Sequence, residues 1–231
     1  MFFRRKQIAE RKAVDSHICP ESQYASGLKV IMAQVHLESS DYAKAAYLDF
    51  AIDVIASELE ADTTAVFVRT GSGCTVKPFF IPYKSFSETW RDVDLSPYHV
   101  VSCPISSVKL RHAAISEWLR GFVKTDNYTS GVLYEDINVV VIENGRHHQA
   151  VANTRKEAYA NTLDVVRTVD FHNNLSTNGG TWSYNDGENK MQALCPDYRL
   201  ALLYTLSQER KRFHAAKPKT PEELNRLFLP K

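Results

Sequence analysis

Apolar residues recur at helical spacing in three parts of the chain. The clearest repeat begins at Asp41, where a serine or aspartate at positions 39–41 can cap the first turn. A second helix is predicted over residues 107–121, with Gly121 as its stop, and a third over residues 197–213. The first repeat consists of Ala43, Ala46, Tyr47, Phe50, Ala51, Val54, Ile55 and Leu59, and the second of Leu110, Ala114, Trp118 and Leu119. These patterns predict amphipathic helices that pack on a core.

Runs rich in β-branched residues predict strands. The first two are separated by Gly71-Ser72-Gly73 and predict a hairpin, because glycines favour a tight turn. The predicted strands are residues 64–70, 74–83, 100–105, 137–142 and 163–172.

Together these elements predict a single α+β domain, a mixed sheet with flanking helices. Residues 1–97 would form a helical and hairpin region that starts with a basic arm. Residues 98–215 would form the core with a C-terminal helix, and residues 216–231 a tail. Residues 173–187 are rich in Asn, Gly, Ser and Thr and predict a long loop around Trp182 and Tyr184.

The composition narrows the class of protein. The 231 residues are 44% hydrophobic and 24% charged, which is typical of a globular protein. A formal net charge of +1 argues against a protein that coats DNA by bulk charge, but a local basic groove remains compatible with it. The four cysteines are far apart and form no C-x-x-C pair. Because no secretory signal and no bilayer-length apolar run is found, we expect a cytoplasmic protein without membrane insertion.

The most informative stretch is residues 143–150, Glu-Asn-Gly-Arg-His-His-Gln-Ala. A buried strand is predicted to end in the Gly145 turn and to lead into a helix whose first turn carries Arg146, His147 and His148. The free N–H groups and the positive dipole end of such a helix favour an anion such as phosphate. Arginine adds a fixed-charge fork, and histidine exchanges protons near neutral pH. This order of residues predicts phosphate chemistry.

An alternative interpretation of the same residues is a hairpin. Asn144-Gly145 between two apolar runs is a strong hairpin signal, because both residues tolerate a positive φ. Residues 146–151 would then be a returning strand. The alanines and the scarcity of β-branched residues after Arg146 favour the helix instead.

This stretch resembles the signature of the ParB/sulfiredoxin-like superfamily. In that signature a strand ends in an acidic or Asn residue, followed by Gly and a short Arg/His cluster that opens a helix. The matching residues are Asn144, Gly145, Arg146, His147 and Ala150. His148 stands where many members have a second Arg, and Gln149 replaces an apolar residue. The resemblance extends over residues 98–172.

The resemblance implies a ParB/sulfiredoxin-like mixed sheet and a nucleotide- or DNA-phosphate hydrolase, an ATPase or DNase. ATP or another nucleoside triphosphate would be the cofactor, with Mg²⁺ as a further candidate. Arg146 and His148, with Asn144 and the Gly145 turn, would bind phosphate, and Arg146, His147 and Glu143 would act in catalysis. Superfamily members include plasmid-partition and plasmid fertility-inhibition proteins, so DNA and a conjugative transfer apparatus are the implied partners. The sulfiredoxin activity is disfavoured, because no Cys adjoins the Arg-His pair.

Further polar residues are candidates for accessory roles. Glu143 and Asp136 flank the motif, and either carboxylate could hold Mg²⁺ against a phosphate. Asp170 and His172 lie two apart on a predicted strand and would share one face, where they could orient a water or hold a metal. The alternative functions are a non-catalytic nucleotide- or DNA-binding inhibitor and a purely structural protein with a hairpin at Asn144-Gly145.

Overall fold

The computed structural model describes residues 19–70, 88–102, 104, 106–120, 130–154, 160–171, 173–188 and 190–213. Nearly all of the predicted arm, the predicted strand over 74–83, the tail and His172 lie outside the described residues. The described ranges combine helices with sheets, which confirms the α+β class. The helices are α1 (Pro20–Leu37), α2 (Asp41–Thr70), α3 (Ser107–Arg120), α4 (Arg146–Thr154) and α5 (Tyr198–Lys211).

A mixed sheet forms the centre of the molecule. Its strands are β1 (Glu88–Asp94), β2 (His99–Ser102), β3 (Ser130–Tyr134), β4 (Val139–Asn144) and β5 (Ala160–Val166). They lie in the order β1-β5-β3-β4-β2. The pairs β2–β4 and β3–β5 are parallel, whereas β1–β5 and β3–β4 are antiparallel. The carboxyl ends of β2 and β4 therefore meet at one edge, where α3 follows β2 and α4 follows β4.

The sheet joins residues from both sides of position 97. Strand β1 lies before this position and pairs with β5, which lies after it. The subdivision of the chain into 1–97, 98–215 and 216–231 stays a prediction, as does the more specific ParB/sulfiredoxin-like fold.

Side chains alternate along the central strands and build a core on both faces of the sheet. Val132 and Tyr134 belong to one buried cluster, and Leu133 between them belongs to the other. The first cluster includes Leu48 of α2 and Leu200 of α5, so these two helices cover that face. Burial of each such leucine stabilises the fold by about 2 kcal/mol relative to an exposed side chain.

Residues 64–70 are helical, so the predicted first strand of the hairpin is wrong. They form the last two turns of α2, which continues without a break from Asp41. Their β-branched content disfavours helix by only about 0.5 kcal/mol per residue. Because extending an existing helix needs no new nucleus, this small local preference does not end it.

The predicted loop over 173–187 is also wrong. It contains most of a three-stranded antiparallel sheet, β6 (Leu175–Thr177), β7 (Thr181–Asn185) and β8 (Lys190–Leu194). Trp182 and Tyr184 are buried on one face of β7 while their neighbours are not, which is the strand period. The Asn178 carboxamide oxygen accepts the Gly180 N–H at 3.0 Å and closes the first turn. The Asn- and Gly-rich composition therefore belongs to the turns between short strands.

Two features of the helices differ from the predictions. Helix α1 was not predicted, because its apolar pattern is weak and only Val35 of this helix is buried. On α3 the predicted stripe is wrong in part: Leu110 is buried, but Trp118 and Leu119 are 69% and 78% exposed. The inner face of α3 instead includes Glu117, which is only 4% exposed. Its carboxylate contacts His148 of α4.

Candidate functional site

The site begins at the glycine turn between β4 and α4. Strand β4 ends at Asn144, Gly145 has a φ of 76°, and α4 starts at Arg146. The Gln149 N–H donates to the Gly145 carbonyl oxygen at 3.0 Å, which forms the first helical turn. The prediction of a strand, a glycine turn and a helix is therefore confirmed, and the hairpin alternative is wrong.

A second helix start lies beside this turn. Ser106 caps α3: its hydroxyl accepts the Lys109 N–H at 3.3 Å, and its carbonyl oxygen accepts the Leu110 N–H at 2.9 Å. Because α3 and α4 follow two parallel neighbouring strands and pack on each other, both positive helix ends lie at the same edge of the sheet. Leu110 and Ala113 of α3 are buried against Ala150 and Val151 of α4.

His147 joins the two helix starts. The Ser106 backbone N–H donates to His147 Nε2 at 3.1 Å, so this nitrogen must carry a lone pair and the ring must be neutral. Burial lowers the pKa of His147, and the positive charges of Lys109, His148 and Arg146 lower it further. The ring therefore stays neutral at pH 7, with its proton on Nδ1.

His148 makes the second connection between α3 and α4. Its Nδ1 lies 2.5 Å from Glu117 Oε1, and the His148 side chain is largely exposed while that of Glu117 is buried. A buried carboxylate needs such a partner, because an unpaired charge is costly in the interior. His148 was predicted to bind phosphate, but one of its ring nitrogens is engaged by this carboxylate.

The remaining residues of the motif hold the turn itself. Arg146 Nε donates to the Glu143 carbonyl oxygen at 2.7 Å, which folds the guanidinium back over the turn. Asn144 Nδ2 donates to Ser130 Oγ at 2.8 Å and ties the end of β4 to the start of β3. Glu143 is partly exposed beside them. The structure thus brings Glu143, Asn144 and Gly145 together with the Arg/His cluster.

The supporting roles of two residues at the site were not predicted from the sequence. Gln149 is only 3% exposed, and its Nε2 donates to Asn153 Oδ1 at 2.9 Å. Asn153 Nδ2 in turn donates to the Val100 carbonyl oxygen at 2.7 Å, which fastens α4 to the edge strand β2. The signal for this role was Gln149 itself, a polar residue at a position where the superfamily signature is apolar.

Asp136 and Asp170 lie away from the Gly145 turn. Asp136 belongs to a 3₁₀ turn (Glu135–Ile137) before β4, and Asp170 to another (Thr168–Phe171) after β5. Both turns lie at the opposite end of the sheet from Gly145, about 20 Å away along β4. At this distance Asp136 cannot hold a Mg²⁺ ion against a phosphate bound at the Gly145 turn. The strand predicted over 163–172 ends at Val166 and does not reach Asp170. Among the described residues, no three His, Cys, Asp or Glu side chains are grouped to hold a metal.

The comparisons with known proteins add no relative. No protein-family model, no curated protein and no solved structure matches this chain. The resemblance to the ParB/sulfiredoxin-like superfamily stays a prediction carried by residues 143–150. In the described part of the chain, no helix has both the length and the apolar composition needed to span a membrane.

Gly145→Ala is expected to lower the free energy of unfolding by about 1 kcal/mol, because L residues with a side chain are strained at a φ of 76°. Gly145→Asn should cost less, since Asn tolerates this conformation better than Ala does. Urea unfolding of the two variants checks this order. Equal losses for both would contradict the role assigned to the positive φ.

Proposed function

We propose that the protein binds a phosphate group, of a nucleotide or of nucleic acid, at the Gly145 turn. The observation that carries this proposal is the meeting of two helix starts, α3 and α4, joined by the His147–Ser106 hydrogen bond. Backbone N–H groups and positive dipole ends at such a place attract anions. Lys109 and Arg146 add positive charge close enough to lower the pKa of His147.

Binding fits the geometry of His147 better than catalysis does. A general base needs an available lone pair, but His147 Nε2 already accepts the Ser106 N–H. The remaining ring nitrogen, Nδ1, carries the proton of a neutral imidazole and is a hydrogen-bond donor. His147 can therefore keep the two helix starts joined around a bound phosphate without any change of protonation state.

Hydrolysis of ATP or DNA is the second candidate function. It is favoured by one observation: the lowered pKa leaves His147 neutral at pH 7, the state required of a base. Catalysis would require the Ser106 contact to open and to release Nε2. Arg146 would then hold the phosphate, and Glu143 would lie beside it. DNA and a conjugative transfer apparatus remain proposed partners on the strength of the resemblance.

Phosphate binding is tested by titrating ATP and inorganic phosphate into wild type, Arg146→Ala and Arg167→Ala. We expect Arg146→Ala to weaken binding about tenfold or more, since a charge-assisted hydrogen bond contributes about 1.5–3 kcal/mol. Arg167 is a matched control, because it is exposed and follows β5 at the far end of the sheet. Equal weakening by both variants, or no binding by wild type, would contradict the proposal.

Hydrolysis is tested on the same proteins together with His147→Gln, using ATP and linear DNA with and without Mg²⁺. Turnover that is lost in Arg146→Ala and His147→Gln but kept in Arg167→Ala would support the hydrolase. Binding without turnover would support the non-catalytic function. Glutamine is chosen because its side-chain oxygen can still accept the Ser106 N–H.

A further inference from the structure

Strand β2 is an edge strand, and one histidine acts at its first residue while another contacts the chain four residues beyond its last. It pairs with β4 on one side, and α2 packs against it. His99 is its first residue and contacts α2. Beyond its last residue the chain reaches Ser106, which contacts His147 of α4. One histidine thus acts at the start of β2, and the other acts at the cap of the helix α3 that follows this strand.

His99 lies between two carboxylates of α2. Its Nε2 is 2.8 Å from Asp53 Oδ1, and its Nδ1 is 3.4 Å from Glu60 Oε2. Asp53 and Glu60 are about two helical turns apart and share one face of α2. A neutral imidazole has one N–H and would turn a lone pair toward one of these oxygens, whereas an imidazolium donates to both. The arrangement is complete only when His99 is protonated.

The electrostatics of His99 agree with this geometry. The hydrogen bond with Glu60 raises the pKa of His99 most, burial lowers it, and Asp53 raises it again, so the net pKa lies above 6.5. Asp53 is nearer, but its side chain is 69% exposed against 31% for Glu60, so water screens Asp53 more. On the opposite side lie the Asn138 carbonyl oxygen, which accepts the backbone N–H of His99, and the apolar Val139 at the start of β4.

His147 makes its contact only as a neutral ring, whereas His99 makes both of its contacts only when it is protonated. Its Nε2 accepts the Ser106 N–H, so protonation at this atom would break the contact. Burial lowers the pKa of His147, and the positive charges that lower it further come from Lys109 on α3 and from His148 and Arg146 on α4 itself. The connection between the two helix starts is therefore made by the neutral ring.

We propose that β2 is a pH-gated element. Protonated His99 fixes the start of the strand to α2, and neutral His147 fixes the chain beyond its end to α4. Both contacts coexist only within a window of pH, and outside it one of the two contacts is lost. The consequence for phosphate binding rests on the proposed function, because the His147 contact is one of those that hold the starts of α3 and α4 together. The gate itself does not depend on that function.

Each histidine stabilises the fold over its own range of pH. For His99, whose pKa is raised, the contribution is present below the ordinary value of 6.5 and is lost as pH rises through the raised pKa. For His147, whose pKa is lowered, the contribution is present above 6.5 and is lost as pH falls through the lowered pKa. The free energy of unfolding should therefore have a maximum between the two pKa values.

Urea unfolding from about pH 5 to about pH 8 tests the gate in wild type, His99→Gln, His147→Gln and His36→Gln. We expect His99→Gln to remove the fall in stability on the alkaline side, and His147→Gln to remove part of the fall on the acid side. Each change should correspond to about one proton or less per molecule. His36 is the control, because it is exposed on α1 and takes part in neither of the two contacts. An unchanged alkaline fall in His99→Gln would overturn the proposal.

Ring-proton NMR of the wild-type protein gives a test that does not require a folded His99 variant. We expect His99 to titrate above 6.5, and its pKa to fall in Asp53→Asn and in Glu60→Gln. Titration at or below the ordinary value would overturn the gate. Inorganic phosphate binding is measured over the same pH range. If phosphate fails to bind at every pH while the unfolding profile is as expected, the proposed function fails and the gate stands.

Discussion

Gly131→Ala is expected to lower the free energy of unfolding by about 3 kcal/mol, at the upper end of the usual cost of overpacking. A Cβ at this position would lie 2.3 Å from the Val141 carbonyl oxygen and 3.0 Å from Ile142 Cα. Both are backbone atoms of β4, which is held between β3 and β2 and cannot move aside cheaply. Because β4 ends at the Gly145 turn, the same shift should disturb phosphate binding. The urea midpoint measures the loss.

Gly187→Ala is the matched control for this substitution. Gly187 has a φ of 95°, and within the described residues no atom lies closer than 4 Å to the place that an alanine methyl would take. The substitution therefore reports backbone strain without a clash, and we expect a loss of about 1 kcal/mol. Equal losses for Gly131→Ala and Gly187→Ala would show that the close approach of β3 to β4 carries no cost of its own.

The parts of the fold that could be predicted are those specified by short stretches of sequence. The β-branched run before Gly145 and the alanine-rich stretch after Arg146 contain both halves of the strand–turn–helix unit, so its type was predictable. The same holds for α5, where Asp197 accepts the Arg199 N–H at 2.9 Å and marks the helix start. In these places local preference and tertiary packing agree.

The elements that were predicted wrongly are those where packing overrides local preference. Residues 64–70 have the composition of a strand but continue a helix that was already formed. Residues 173–187 have the composition of a loop, yet the burial of Trp182 and Tyr184 organises them into strands. In both places the composition of the segment was misleading, and the outcome depended on the preceding helix or on burial in the core.

The candidate site also has parts that could be predicted from the sequence and parts that could not. Its glycine turn and cationic helix start were predictable, because residues 143–148 are contiguous. The contacts of His147 with Ser106 and of His148 with Glu117 span 41 and 31 residues, and they depend on the parallel pairing of β2 with β4. Asp136 was grouped with the site because it flanks the motif in sequence, and Asp170 because it was predicted to share a strand face with His172. The strand directions place them at the other end of the sheet.

Arg199→Met is expected to lower the free energy of unfolding by about 2 kcal/mol, mainly because a partly buried carboxylate loses its cationic partner. The Arg199 guanidinium is 11% exposed and joins α5 to α2: it contacts Asp197 Oδ2 and Asp62 Oδ2, each at 2.7 Å. Asp62 is 43% exposed and can return to water, so most of the cost should arise at Asp197, which is 19% exposed. Arg199→Lys should recover part of the loss, because it keeps the charge without the planar fork.

Arg210→Met separates the effect of burial from that of charge. Arg210 Nε also connects α5 to α2, 2.7 Å from Asp49 Oδ1, but the two side chains are 37% and 57% exposed. Exposed ion pairs contribute about 0.2–1 kcal/mol, so this substitution should cost much less than Arg199→Met. The urea midpoints of Arg199→Met and Arg210→Met, measured at the same pH and salt concentration, compare the two losses of stability. Equal losses would mean that water screens the contact of Arg199 with Asp62 of α2 as strongly as it screens a surface ion pair. They would also mean that the burial of Asp197 adds nothing to the free energy of unfolding.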